Sequence, residues 1–241
     1  MKFPIAITLI SLTLSCSSLL AEDGFTSLFN GKDLSGWTAP EGDNGHWKVL
    51  KGVIDYDAQS EAKKDKNLWT EKEYGDFTFK IDWRIKKTTG LYAMPVVLPD
   101  GTHKQDENGK DIKIERPNAD SGIYLRGSSK SQINIWCWPI GSGEVYGYRM
   151  DKSKSTEVRA GVTPSVRADN PVGEWNSFVI TMEGDRLTVV LNDITVIDEA
   201  QLPGVPEKGR LALQHHGGMR NGVYSPASSL MQFRNISIKE N

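Results

Sequence analysis

The sequence predicts an all-β protein, an antiparallel two-sheet β-sandwich with a long inserted loop around residues 86–119. Three features predict it. Apolar residues alternate with polar ones in about ten short segments, the period of a strand with one buried face. Runs with the 3.6-residue period of a helix are almost absent. Turn-forming pairs such as Lys51-Gly52, Gly184-Asp185 and Asn192-Asp193 separate the segments at hairpin spacing.

The opening segment stands apart from the fold. MKFPIAITLISLTLSCSSLLAEDG places one lysine before an apolar run and small residues after it. That is the layout of a secretory signal peptide, too short and wrongly flanked to span a membrane. Cleavage after Ala21 leaves 22–241 as a single domain, expected to be periplasmic or secreted. Thr13-Leu14-Ser15-Cys16 loosely resembles a bacterial lipoprotein box, so lipid anchoring at Cys16 is the alternative. No later apolar run is long enough to predict a transmembrane segment.

The strands follow in order. HWKVLKGVIDYD (46–57) reads as a hairpin. DFTFKIDWRI (76–85) places Phe77, Phe79, Ile81, Trp83 and Ile85 on one face and Thr78, Lys80, Asp82 and Arg84 on the other. DSGIYLRG (120–127) and SQINIWCW (131–138) pair across a tight polar turn. GEVYGYR (143–149) also alternates, putting Glu144, Tyr146 and Tyr148 on one side. WNSFVITMEGDRLTVVLNDITVID (175–198) is three strands, and GRLALQHHG (209–217) and LMQFRNISIKE (230–240) complete the set. The polar stretch 86–119 carries the turn formers Pro99-Asp100-Gly101 and Asn108-Gly109. It predicts a protruding excursion with its own small hairpin, a candidate lid. DENGKD (106–111) is not a calcium loop: its glycine is fourth rather than sixth, and the twelfth residue is Pro117.

Composition excludes several classes. The net charge is −2 with no basic block, so nucleic acid is not expected as a partner. After cleavage Cys137 is alone, so no intrachain disulfide forms; its apolar neighbours make it a small packed hydrophobe rather than a nucleophile. No His-x-His or Cys-x-x-Cys pair assigns a metal, although carboxylates and backbone oxygens leave a divalent cation open. No Gly-x-Ser-x-Gly signals an esterase, and no Gly-x-Gly-x-x-Gly follows a strand. No cofactor is predicted, and the oligomeric state is not legible.

The hairpin at 120–138 carries the functional signal. Ile123, Leu125, Ile133, Ile135 and Cys137 share the core face. The opposite face carries Asp120, Tyr124 and Arg126 beside Gln132, Asn134, Trp136 and Trp138. Asp82 and Arg84 offer a comparable face, as do Tyr146 and Tyr148. His215 and His216 point apart, and His216 shares its side with Gln214. Carboxylates, a guanidinium, amides and flat rings together suit a sugar, whose hydroxyls take hydrogen bonds and whose C–H faces stack on Trp and Tyr. Packing of Trp136 and Trp138 beneath the 86–119 excursion is the competing explanation of the same face.

GFTSLFNGKDLSGW (24–37), DFTFKIDWRI, NADSGIYLRG (118–127), GEWNSFVITMEGDRLTVVLND, GRLALQHHGG and FRNISI together resemble the 3-keto-disaccharide hydrolase domain family over residues 24–239. The resemblance implies a concanavalin A-like jelly roll with a concave sugar-facing sheet, and cleavage of glycosides that carry a ketone at carbon 3. Many relatives have a Glu-x-Gln motif after the Arg strand; here Gln132-Ile133-Asn134 stands in that place, without a carboxylate. A ketone at carbon 3 acidifies the proton on carbon 2, so a base can form an enolate that expels the glycosidic oxygen from carbon 1, and water can then add. The candidates for that chemistry are Glu144 or His216 as base, Arg126 as the enolate-stabilising cation, and Asp120 or Asp82 as a second acid/base or sugar anchor. Asp82, Arg84, Tyr124, Gln132, Asn134, Trp136, Trp138, Tyr146, Tyr148 and Gln214 would bind the carbohydrate substrate. Direct two-carboxylate hydrolysis is the alternative chemistry. A non-catalytic, lectin-like carbohydrate-binding module and a structural surface domain are the alternative functions.

Overall fold

The computed structural model describes residues 24–62, 64–216, 219–220, 223–224 and 229–241. The expected signal peptide, with Cys16, lies outside them. The described chain begins with β1 (Thr26–Ser27), β2 (Trp37–Thr38), β3 (Trp47–Leu50), β4 (Val53–Tyr56), β5 (Leu68–Tyr74) and β6 (Phe77–Lys87). It continues through β7 (Leu91–Pro95), β8 (Lys113–Pro117), β9 (Asp120–Leu125), β10 (Ser128–Trp136), and two short helices, α1 (Tyr146–Arg149) and α2 (Thr156–Gly161). It ends with β11 (Asn176–Glu183), β12 (Arg186–Leu191), β13 (Ile194–Gln201), β14 (Gly209–Leu213), β15 (Met219–Arg220), β16 (Val223–Tyr224) and β17 (Leu230–Glu240).

Two antiparallel sheets carry the fold. The larger runs β13-β12-β11-β6-β17-β4-β3, with β1 added on β17; the smaller runs β10-β9-β14-β5-β2. The predicted β-sandwich, all antiparallel, is what forms. Strand β6 shows why. Its alternation buries Phe77, Phe79, Ile81, Trp83 and Ile85 and leaves Thr78, Lys80, Asp82 and Arg84 on the other side. The smaller sheet answers with Ile123, Leu125, Ile133, Ile135, Leu211 and Leu213, and the two inward faces make one core. Each such side chain contributes about 1.5–3 kcal/mol by leaving water. Slipping β6 by one residue would turn five of them outward at once, so its register is tightly specified.

The hairpin turns obey backbone chemistry. Lys51-Gly52 and Asn192-Asp193 both take positive φ at each position, the geometry that matches strand twist in two-residue loops. Arg126-Gly127, between β9 and β10, does the same, with φ of 49° and 73°. Here the structure corrects the sequence reading. Strand parity put Arg126 on the face with Asp120, but a residue in the left-handed region is no longer on the strand. Its guanidinium turns to the sheet's end and is almost fully buried. Nε donates to Gly75 O at 2.8 Å, Nη1 to Gly184 O at 2.6 Å and to Pro206 O at 3.1 Å, and Nη2 to Asp76 Oδ1 at 2.8 Å. Arg126 is a structural clasp among loops.

Two further expectations are corrected. Asp82 and Arg84 lie on β6, in the sheet that does not carry the cleft described below: Asp82 accepts from Arg234 and Asn235, and Arg84 donates to Gln232 and covers the Trp175 ring. GEVYGYR is not a strand. Residues Tyr146–Arg149 close a helical turn, which abolishes the alternation and sends Tyr148 into the core, its hydroxyl 3.5 Å from Leu202 O. The turn is possible because Gly147 sits against Lys130, where an added Cβ would come within 2.5 Å of the carbonyl oxygen. The 86–119 excursion does contain its own hairpin, β7 paired with β8 from Leu91↔Pro117 to Pro95↔Lys113.

Arg126→Ala should lower unfolding stability by about 3 kcal/mol in urea titration, because charged hydrogen bonds to several carbonyls are lost together. Arg126→Lys should recover little of it, since one ammonium cannot reproduce the planar fork. The folded fraction of either variant should keep its ligand affinity.

Candidate functional site

The β9–β10 pairing builds the floor of a cleft on the outer face of the smaller sheet. Register places Tyr124 opposite Gln132, Gly122 opposite Asn134 and Asp120 opposite Trp136. Gly122 is required here. A Cβ at this position would lie 2.5 Å from Gln132 Nε2 and 2.7 Å from Ile133 O, so only glycine lets the Gln132 amide lie across the strand. That amide organises its neighbours. Gln132 Nε2 donates to Asn134 Oδ1 at 2.6 Å and to Gln214 Oε1 at 2.7 Å, and Gln214 Nε2 donates to the Tyr124 hydroxyl at 3.1 Å. With Asn134 Oδ1 already accepting, its Nδ2 is left as a buried donor with no protein partner among the described residues. The Asn134 main chain is fixed on both sides: its N–H donates to Glu144 O, and its carbonyl accepts from Gly143 N, each at 2.9 Å.

The cleft encloses about 300 Å³. An aromatic wall bounds one side. Trp136 and Trp138 stack with ring centres 4.1 Å apart and planes 9° apart, and Tyr146 meets both edge-on at 6.0 and 6.2 Å. Trp136 Nε1 donates to Gly141 O at 2.6 Å, which fixes the indole plane. The β7–β8 hairpin supplies Tyr92 and Met94 to the rim. The excursion therefore reaches the cleft instead of projecting away from it.

Asp120 and His216 face each other across the cleft, Oδ2 to Nδ1 at 3.6 Å. This is beyond a direct hydrogen bond. Ser229 holds the Asp120 backbone from both ends, its Oγ accepting from Asp120 N at 3.2 Å and donating to Asp120 O at 2.7 Å. The carboxyl is recessed: a quarter of the side chain remains exposed, yet the surrounding protein displaces most of its water. Burial, followed by the negative charge of Glu144, pushes Asp120 up to about 8. Burial pushes His216 the other way, below its ordinary value. At neutral pH the carboxyl thus holds its proton and the imidazole does not. His215 turns inward onto Tyr56, ring centres 4.5 Å apart, so the two histidines do point apart.

The cleft gathers Asp120, Gln132, Asn134, Trp136, Trp138, Tyr146, Gln214 and His216, all named from the sequence. Tyr124 stands beside it through Gln214. Arg126, Asp82, Arg84 and Tyr148 are elsewhere, as described above. Glu144 does not line the cleft either. It is fully buried, and one oxygen accepts from Arg149 Nε. Burial raises its carboxyl to about 7, and the Arg149 guanidinium pulls against that rise. Sequence reasoning missed Tyr92, Met94, Asn118, Ala119, Ser129 and Gly147. All of these lie on the 86–119 excursion, in the β9–β10 bulge or on α1, where no strand period points at the site. Among the described residues, no three His, Cys, Asp or Glu side chains converge as metal ligands.

A family model, the 3-keto-alpha-glucoside-1,2-lyase-like domain, matches residues 24–239. The chain belongs to this family. The match takes in every strand of both sheets and every residue of the cleft. Among solved structures, the chain is similar to candidate glycosyl hydrolases of Parabacteroides distasonis ATCC 8503. One is 21% identical with a TM-score of 0.59 over 91% of this chain and 84% of that one. A second is 21% identical with a TM-score of 0.55 over 90% and 94%. At that identity the likeness establishes the shared sandwich. No curated protein matches the chain.

The raised Asp120 carboxyl has a consequence for stability. The folded protein keeps a proton that the unfolded chain releases near its ordinary value of 3.8, so stability is lost as pH rises from there to about 8. Asp120→Asn carries no such charge. Its stability relative to the parent should therefore increase between pH 4 and pH 8 and level off above, measured by urea titration at each pH. An equal effect at both ends would place the carboxyl in a water-like environment.

Proposed function

We propose that this protein is a carbohydrate-active enzyme that opens the glycosidic bond of a 3-keto-glycoside by elimination, in the cleft between Asp120 and His216. Family membership supports the substrate class. The observation that carries the chemistry is the Asp120–His216 pair, 3.6 Å apart, with the proton on the carboxyl and the imidazole free. Opposed environments of two titratable groups are how a general acid and a general base are assigned.

The steps follow from the groups present. Neutral His216 takes the proton from carbon 2, and the electron pair delocalises onto the carbon 3 oxygen. The unpartnered Asn134 Nδ2 donates to that oxygen as charge develops. The enolate collapses, the bond from carbon 1 to the glycosidic oxygen breaks, and Asp120 gives its proton to the departing oxygen. The products are an enone and a free alcohol; water adding across the new double bond completes a net hydrolysis. His216 now carries a proton and Asp120 a charge, side by side, so passing the proton from one to the other restores the starting state. The Trp136–Trp138 stack and Tyr146 hold the ring by its C–H face. Two-carboxylate hydrolysis is less well supported, since Asp120 is the one carboxylate lining the cleft among the described residues. We place the enzyme in the periplasm or outside the cell on the leader in its sequence; among the described residues, no helix is long and apolar enough to cross a membrane.

The test is release of the leaving group from a 3-keto-glucoside and from its unoxidised parent. Only the keto sugar should be cleaved. The rate should fall at acid pH as His216 takes a proton, and again as pH rises through about 8, when Asp120 loses its own. Asp120→Asn should cost about 10²–10⁴-fold in kcat and remove the alkaline limb. Asn134→Ala should cost about 10²–10³-fold with a smaller change in KM. The aromatic wall would serve binding alone equally well. Intact glycan bound, with neither glycoside cleaved, would make the protein a carbohydrate-binding module.

A further inference from the structure

A second groove lies on the same sheet face, past the end of the amide chain. It encloses about 510 Å³ and is bounded by the loop after β2 (Thr38, Pro40 and Glu41), by Lys64 and Asp65, and by Trp69 and Arg210. The register explains its floor. Ala212 pairs with Trp69 on one side and with Tyr124 on the other, and Tyr124 pairs with Gln132. Trp69, Ala212, Tyr124 and Gln132 therefore form one row across four adjacent strands. Ala212 is small, and the Trp69 and Tyr124 rings meet above it with centres 5.9 Å apart, covering it completely. The result is an aromatic floor running from the second groove toward the first cleft.

Trp69 is held in a fixed pose by three contacts that the core does not need. Its Nε1 donates to Asp65, the Arg210 guanidinium sits 5.2 Å from the ring centre, and the Tyr124 ring meets it edge-on. Asp65 also accepts from Asn67, whose Oδ1 accepts from His215 N at 2.9 Å, so the groove is braced against the segment that carries His216. A partly exposed indole on a solvent face, immobilised at low conformational-entropy cost and ringed by charged hydrogen-bonding groups, is built to stack on a ligand that is apolar on its face and polar at its edge.

We infer that the Trp69–Arg210 groove is a distal subsite that binds a further sugar ring of the leaving group. The inference rests on the carbohydrate reading of the cleft and extends it to chain length. From Asp120 the groove lies four residues along β9 and two strands across, about 16 Å by strand geometry. A disaccharide cannot bridge that span. The subsite therefore favours oligosaccharides longer than two rings.

The experiment uses the full chain with 3-keto-maltotetraose and methyl 3-keto-glucoside, whose aglycone ends inside the first cleft. Trp69→Ala should lower kcat/KM about tenfold for the tetrasaccharide and less than twofold for the methyl glycoside. Trp69→Phe, which keeps a ring, should fall between. An equal loss on both substrates, or no loss on either, overturns the subsite. If the parent cleaves neither keto sugar, the elimination reading fails by itself, and unoxidised maltotetraose and maltose are titrated by calorimetry instead. Tetraose bound at least tenfold more tightly than maltose, with that preference erased in Trp69→Ala, supports the subsite; a preference absent in the parent, or retained in the variant, overturns it.

Discussion

The buried ion pair between Glu144 and Arg149 is the constraint on which the site depends. Both side chains are fully buried. Arg149 Nη1 donates to Gly101 O at 3.1 Å, which ties down the excursion, and Arg159 Nε donates to Arg149 O at 2.7 Å, which ties α2 to α1. Glu144 pairs with the Asn134 backbone. One interaction therefore joins strand β10, both helices and the long insertion. Leaving either charge alone in such a place costs about 3–5 kcal/mol, so these parts are held together or lost together.

Glu144 also acts on the cleft, second to burial. Glu144 cannot touch a substrate, but its charge helps to keep the proton on Asp120. A carboxyl that lines the cleft is thus influenced by one that does not. Two carboxylates in unlike surroundings are the usual means of running acid and base chemistry near neutral pH. Here the second member works from behind the strand, and an imidazole takes the facing position. The cost of desolvating Asp120 is borne by a sandwich core whose strands bury aromatic and branched side chains along nearly every inward position.

On the proposed function, the geometry of the face separates binding from chemistry. Two amides and a ring follow one another on one face of β10 because a strand returns to the same side every second residue, so Gln132, Asn134 and Trp136 line up without any loop. The pair proposed to move protons comes from strand ends, Asp120 at the start of β9 and His216 beyond the end of β14. In the proposed reaction, rigid strands would fix the ligand's plane and the less regular ends would carry the groups that exchange protons.

Alternation in the sequence was enough to determine the sandwich, the inward set of β6 and the outward set of β10, because a two-residue period is a local property of an extended chain. Turn pairs such as Lys51-Gly52 and Asn192-Asp193 were legible for the same reason, since positive φ is a local demand. Only the tertiary structure decided the rest. Arg126 left the site because its own backbone turned left-handed and distant carbonyls from Gly75, Gly184 and Pro206 converged on it. Glu144 and Tyr148 lost their strand faces because Gly147 let a helical turn pack on Lys130. Tyr92 and Met94 reached the cleft on β7, which is separated in sequence from β9 by the rest of the excursion. The protonation of Asp120 and His216 depends on the water excluded by all of these, and exclusion of water belongs to the folded whole, not to any stretch of sequence.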